Sequence, residues 1–141
     1  MQRLEGKVAI ITGATLGLGK AAALLFAREG ASVVICDRGR TPHNAEKGLE
    51  EAEGLSGRIA YTKRDVLVAD EITALVAFTL ERFGRICVMA NNACVDPGSG
   101  RLAEGRSEDC VDTIHCHMTA PLPFRQAVGP SLLAHGTRSP L

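Results

Sequence analysis

A glycine-rich segment near the amino terminus carries the strongest chemical signal in the sequence. Gly13, Gly17 and Gly19 lie between a short apolar run and a stretch with helical periodicity. Glycines at such a turn let the chain bend tightly and let a pyrophosphate approach main-chain nitrogens, and the helix start offers free N–H groups to an anion. Asp37 follows the next apolar run, 18 residues after Gly19, near the spacing at which a carboxylate binds an adenosine ribose. The pattern predicts a dinucleotide site.

Two alternatives to a dinucleotide site stay open for this segment. A P-loop is the nearest, because Gly19 and Lys20 resemble its closing residues. A P-loop also needs glycine at position 14 and serine or threonine at position 21, whereas the sequence has Ala14 and Ala21. The other alternative is a glycine-rich turn that binds no ligand.

The elements that would position these residues alternate between short apolar runs and longer helical patterns. This alternation is typical of an α/β fold, in which crossover helices join parallel strands. The predicted strands are 8–11, 32–36, 58–62 and 86–90, and the predicted helices are 17–29, 42–53, 70–83 and one capped by Ser107. Proline and glycine are frequent beyond residue 123, so we expect an irregular tail over about 124–141.

Composition and charge narrow the class of partner. The chain has 141 residues, and its 16 lysines and arginines balance 16 aspartates and glutamates, so neither nucleic acid nor a membrane surface is an expected partner. No apolar run approaches the roughly 20 residues that span a bilayer, and the first residues lack the apolar stretch of a secretory signal. We expect a single domain over 1–141, a small-molecule partner and a cytoplasmic location.

The cysteines favour reduced thiols. Five cysteines form an odd set without a CxxC pair, which argues against a disulfide framework and against a thiolate zinc site. One cluster has a metal-like composition, but its two histidines, His115 and His117, would point to different faces of a helix, so no metal site is predicted. The cluster comprises Cys110, His115, Cys116 and His117.

Residues 12–19, TGATLGLG, resemble the TGxxxGxG motif of the short-chain dehydrogenases/reductases in every fixed position. The resemblance covers the whole chain, with 1–93 as the well-matched part. It implies a Rossmann-type doubly wound parallel sheet, incomplete, with about four strands in the order 3-2-1-4. The cofactor contacts that it implies are Gly13, Thr15, Leu16, Gly17, Leu18, Gly19, Asp37, Arg38, Asp65, Val66, Asn92 and Ala93.

The same resemblance implies roles for particular residues. Asp65 and Val66 match the family's adenine contact, although an aspartate in such a loop is also a common turn residue. Asn92 matches a cofactor-lining position, and Asn91 is expected to hold neighbouring backbone. Asp37 would repel a ribose 2′-phosphate, so NAD is the expected cofactor, and the cation of Arg38 keeps NADP as the alternative.

The family's catalytic groups are missing from this sequence. Hydride transfer to or from a carbonyl or secondary alcohol uses a serine, a tyrosine and a lysine four residues after the tyrosine. The one tyrosine is Tyr61, and Asp65 stands four residues later. His117 occupies the position of the family's further catalytic asparagine. We therefore expect a C-terminally truncated, catalytically incomplete member of this oxidoreductase family.

A non-catalytic nucleotide-binding module or assembly partner is the alternative function. A small carbonyl or alcohol substrate is expected only for a full-length form. The fourth strand would be the edge of the sheet, and its unpaired backbone groups favour association with another copy of the chain.

Overall fold

The computed structural model describes residues 2–40, 42–95 and 106–135. In these residues four strands alternate with helices, and a π-helical turn, His115–Thr119, joins the last two helices. The elements are β1 (Val8–Thr12), α1 (Gly17–Arg28), β2 (Ser32–Asp37), α2 (Pro42–Glu51), β3 (Arg58–Lys63), α3 (Ala69–Phe83), β4 (Val88–Ala90), α4 (Ser107–Ile114) and α5 (Pro121–His135).

The four strands form one parallel sheet in the order β3-β2-β1-β4, as predicted. Ile10 of β1 pairs with Val34 of β2 on one side and with Met89 of β4 on the other. Every residue of β1 is buried, because helices cover both faces of a central parallel strand and such a strand must be apolar throughout.

Alternate side chains of the strands pack into two separate hydrophobic cores, one on each face of the sheet. Ile10 and Val34 pack with Leu75 of α3 and Phe124 of α5 on one face of the sheet. On the other face, the inward residues of β1 and β2 pack with Ala23 of α1. The buried face of α1 is built from glycine and alanine, so this helix can lie close to the strand that precedes it.

Most predicted boundaries agree with the structure to within a residue or two. Gly30 and Gly84 follow α1 and α3 with positive φ, as predicted for helix-ending glycines. Ser107 was the predicted cap of α4, and that prediction is wrong. Arg106 takes the cap position with extended backbone and no side-chain hydrogen bond, so Ser107 is already helical. The predicted cap of α2, Thr41, lies outside the described residues.

The irregular tail predicted over 124–141 is wrong for the described part, because α5 continues to His135. Its amino-terminal prolines fall in the first turn, where the backbone N–H groups have no partner within the helix. Pro130 lies in the interior and follows Gly129, which has no Cβ to collide with the proline ring. Phe124 and Val128, one turn apart, are buried in the core, and this burial stabilises the helix despite its composition. Residues 136–141 of the predicted tail lie outside the described residues.

No helix in the part of the chain described is both long enough and apolar enough to cross a bilayer.

Candidate functional site

The turn after β1 passes directly against the segment that follows β4. Gly13 has a φ of 62° and its N–H donates to the carbonyl of Cys36 at 2.8 Å. A Cβ at this position would lie 2.7 Å from the Cα of Ala93. Only glycine can therefore adopt this backbone conformation so close to Ala93.

Helix α1 begins at the far side of this turn. Leu16 occupies its N-cap with extended backbone and makes no side-chain cap hydrogen bond. The N–H groups of the first helical turn have no partners within the helix, and they carry the positive end of the helix dipole. A Cβ on Gly17 would meet no atom within 4 Å. The start of α1 thus presents free donors to open space.

A cavity of about 410 Å³ lies at the carboxyl ends of the strands, bounded by this turn. Parallel sheets of this type bind ligands at that edge, where the strand order reverses. All of the predicted cofactor contacts except Thr15 line the cavity, namely Gly13, Leu16, Gly17, Leu18, Gly19, Asp37, Arg38, Asp65, Val66, Asn92 and Ala93.

Thr15 lies behind the carboxylate of Asp37 rather than on the cavity wall. Its buried hydroxyl donates a hydrogen bond to Oδ2 of Asp37. The other oxygen, Oδ1, accepts from the N–H of Gly39 at 2.7 Å and from the hydroxyl of Tyr61 at 2.8 Å. Three donors therefore fix the orientation of the Asp37 carboxylate at the edge of the cavity.

Sequence reasoning missed the contact between Tyr61 and Asp37. Burial, then the hydrogen bond to Asp37 and the negative charge of that residue, raise the pKa of Tyr61 to about 12. The phenol therefore stays protonated at neutral pH and acts as a donor to the carboxylate. Asp37 pairs in register with Lys63, two residues beyond Tyr61, and diagonal neighbours on adjacent strands lie within reach of an aromatic side chain. That diagonal relation between β2 and β3 was the signal from which the contact could have been predicted.

Replacing Tyr61 by phenylalanine removes this donor and keeps the ring. We expect the free energy of unfolding to fall by about 1 kcal/mol, because the lost hydrogen bond is to a charged group that is partly solvated. Urea denaturation followed by far-UV circular dichroism measures the change. The matched control is Thr62→Val, the neighbouring residue on β3. An unchanged midpoint for Tyr61→Phe would show that Tyr61 does not support Asp37.

Asn92 connects the end of β4 to the end of β1. Its side-chain amide donates to the carbonyls of Thr12 and Gly13 at 2.9 and 3.1 Å. Its main-chain N–H and that of Ala93 both donate to the buried hydroxyl of Thr12, at 3.1 and 3.0 Å. The backbone-holding role expected of Asn91 is therefore taken by Asn92, whereas Asn91 is exposed. Asn92 also lines the cavity.

The loop after β3 forms another wall of the cavity. The carboxylate of Asp65 accepts from the N–H of Leu67 at 2.9 Å, so Asp65 closes a local turn as well as lining the cavity. The Nε of the neighbouring Arg64 is buried with no hydrogen-bond partner within the described ranges. The lining residues that were not among the predicted cofactor contacts are Cys36, Arg64, Leu67, Cys94, Val95 and Cys116. The first four of them each adjoin a predicted contact in the sequence, and that adjacency was the local signal for them.

The π-helical turn determines which residue of its segment reaches the cavity. Cys116 is buried and lines the cavity, whereas His117, the candidate for the catalytic asparagine position, is exposed and is not part of the lining. His115 and Cys110 are exposed as well. Across residues 2–40, 42–95 and 106–135, no three side chains of histidine, cysteine, aspartate or glutamate meet as a metal site would require.

Solved structures of enzymes with a bound dinucleotide show the same architecture as this chain. A metagenomic short-chain oxidoreductase in complex with NADP superposes with a TM-score of 0.82 at 29% identity, over 94% of this chain and 60% of that one. Carveol dehydrogenase from Mycobacterium avium in complex with NAD superposes with a TM-score of 0.83 at 27% identity, over 94% of this chain and 51% of that one.

Relatives in sequence agree with the structural comparison. The 3-oxoacyl-acyl-carrier-protein reductase FabG of Thermotoga maritima is 37% identical over 131 residues, which are 93% of this chain and 52% of the relative. Dehydrogenase/reductase SDR family member 4 of Caenorhabditis elegans is 34% identical over 96% of this chain and 52% of its own length. The chain thus spans about half the length of these curated relatives. The short chain dehydrogenase family model matches residues 7–138, and the chain belongs to that family.

Proposed function

We propose that this chain binds the adenosine and pyrophosphate portion of a nicotinamide dinucleotide, as the cofactor-binding part of a short-chain oxidoreductase. For a full-length form we propose hydride transfer to or from a carbonyl or secondary alcohol, on the basis of its family membership. The observation that carries the proposal is the convergence of the α1 amino terminus and the Asp37 carboxylate on one cavity.

The residues around the cavity suit such a cofactor. The N–H groups at the start of α1 would bind the pyrophosphate, and the open space beside Gly17 leaves room for it to approach the backbone. Asp37 is held by three donors and would accept hydrogen bonds from the adenosine ribose. Val66 and Asp65 would lie against the adenine ring. When bound, the cofactor supplies the hydride chemistry.

A preference for NAD over NADP follows from charge. Asp37 would stand next to a ribose 2′-phosphate, and two like charges in a partly buried site repel each other. Arg38 and Arg64 also line the cavity and would reduce this repulsion. Relatives in complex with each cofactor are known, so the ratio of the two affinities is the quantity to measure.

We propose further that these residues alone do not transfer a hydride. The hydroxyl of Tyr61, the one tyrosine in the sequence, donates to Asp37. A general acid must lie within hydrogen-bond reach of the reacting oxygen. The Tyr61 hydroxyl instead lies beside Asp37, where the ribose would bind. A phenol with a pKa of about 12 is also a weak acid at neutral pH.

Asp37→Asn tests the ribose contact. We expect NADH to bind at least tenfold more weakly, because a hydrogen bond to a charged group is worth about 1.5–3 kcal/mol, and the gap between NADH and NADPH to narrow. Isothermal titration of the full chain measures both affinities. Asp112→Asn, an exposed aspartate on α4, is the matched control and should bind like the parent. Equal NADH affinity in Asp37→Asn and parent, with both variants folded, would overturn the assignment.

The alternative function is a nucleotide-binding module that recognises the adenosine half without chemistry. Equal affinity for NADH and ADP-ribose would favour this module, and turnover of any carbonyl compound by the pure chain would overturn the non-catalytic proposal.

Strand β4 is an edge of the sheet, paired with β1 on one side, so we also propose self-association through this edge, which sedimentation analysis would detect. The proposed location is cytoplasmic.

A further inference from the structure

Two cysteines, Cys94 and Cys116, line the wall of the cavity. Cys94 follows Ala93 after β4 and is exposed, whereas Cys116 lies in the π-helical turn and is buried. The Sγ of Cys116 donates to the carbonyl of Ala93 at 3.4 Å. The carbonyl that accepts from Cys116 therefore belongs to the residue directly before Cys94.

We infer that Cys94 and Cys116 form a redox-sensitive pair that closes to an intramolecular disulfide when the folded chain meets a peroxide. Peptide geometry places the Cα of Cys94 roughly 3 Å from the carbonyl oxygen of Ala93, so the Cys116 sulfur lies within roughly 6 Å of that Cα. A disulfide requires Cα atoms about 4.4–6.8 Å apart, so the inference requires the two cysteines to close to that Cα–Cα distance when the bond forms. The inference concerns the chain without ligand and does not depend on the function proposed above.

The exposure of the two thiols sets the order of the reaction. The Cys94 thiolate attacks one oxygen of hydrogen peroxide, which breaks the O–O bond and leaves Cys94 as a sulfenic acid with release of hydroxide. The Cys116 sulfur then attacks the sulfenic sulfur, the S–S bond forms, and the displaced hydroxide takes the Cys116 proton to leave as water. Two thiols are oxidised and one peroxide is reduced to two water molecules.

The other cysteines are poorly placed for this reaction. Cys36 also lines the cavity, but burial raises the pKa of its thiol to about 12, so it has little thiolate at neutral pH. Burial likewise raises the pKa of Cys116, so the exposed Cys94 is the thiol that meets the peroxide first. Cys87 is buried where the chain enters β4, and Cys110 is exposed on α4.

The disulfide would join the segment after β4 to the π-helical turn. Both partners line the cavity, so oxidation would fix two of its walls relative to each other. The crosslink would also close a loop of 23 residues, from position 94 to position 116, and a loop of this size restricts the unfolded chain substantially. We expect the thermal midpoint to rise by on the order of 10 °C on oxidation.

The test is oxidation of the native chain with stoichiometric hydrogen peroxide, followed by mass mapping of non-reduced peptides. We expect one dominant crosslink, between the peptides that contain Cys94 and Cys116, which a reducing agent reverses. Cys94→Ser and Cys116→Ser should each abolish it, and the matched control Cys110→Ser should retain it. Repeating the oxidation in denaturing urea should replace the single pairing by a mixture, because the folded geometry selects the pair.

Several outcomes would overturn the inference. One is overoxidation of Cys94 to sulfinic acid while Cys116 stays reduced. Others are a dominant crosslink to Cys110 or between two chains, and a pairing pattern that is the same in urea and in native buffer. Since no dinucleotide is present in this experiment, failure here would leave the cofactor titrations unaffected, and failure of those titrations would leave the disulfide unaffected.

Discussion

Phe124→Ala should lower the free energy of unfolding by about 3–5 kcal/mol, the range for removing a phenylalanine from a packed core. Phe124 is 1% exposed and packs in the core formed by the sheet and α3. Domains of ordinary stability unfold at a cost of about 5–15 kcal/mol, so this substitution should bring the protein close to unfolding. Urea denaturation monitored by circular dichroism measures the loss.

The control for Phe124→Ala lies on the same helix. Leu133 is 81% exposed, so Leu133→Ala should change the free energy of unfolding by less than about 0.5 kcal/mol. Equal effects of the two substitutions would mean that α5 does not dock on the sheet, and the fold beyond residue 120 would need revision.

Gly13→Ala and Gly17→Ala should separate the stability of the glycine-rich turn from its capacity to bind. Both glycines have positive φ, 62° and 54°, which costs an alanine about 1–2 kcal/mol. At Gly13 the new methyl group would also collide with the backbone of Ala93, and overpacking adds about 1–3 kcal/mol. Gly13→Ala should therefore destabilise the fold by about 2–5 kcal/mol.

At Gly17 the new methyl group would enter open space at the cavity. Gly17→Ala should cost the fold only about 1–2 kcal/mol, yet weaken NADH binding at least tenfold, because the methyl group would occupy the approach to the α1 N–H groups. The control is Gly48→Ala in the middle of α2, where the methyl group has room and alanine should stabilise the helix by about 1 kcal/mol. A Gly17→Ala chain that binds NADH like the parent would remove the pyrophosphate assignment.

The sequence alone was sufficient for features that local patterns encode. The continuous apolar run of β1, the helical periodicity of α3 and the glycine that ends it are short-range signals, and they predicted the elements and the parallel sheet. The position of Asp37 at the end of β2 was also predictable, because a residue that follows a parallel strand lies at the carboxyl edge of the sheet. Eleven of the twelve predicted cofactor contacts meet at one cavity for this reason.

Long-range packing decided the remaining features. Helix α5 forms despite its prolines and glycine, because the burial of Phe124 and Val128 outweighs a poor local propensity. The contacts of Tyr61 with Asp37 and of Cys116 with the carbonyl of Ala93 join residues 24 and 23 positions apart in the chain. No pattern within a single element carries such information, since a side chain's partners across the sheet depend on how whole elements dock. The sequence thus determined the four strands, the helices between them and the end of the sheet that carries the cavity. Tertiary packing determined that α5 forms and which side chains support that site.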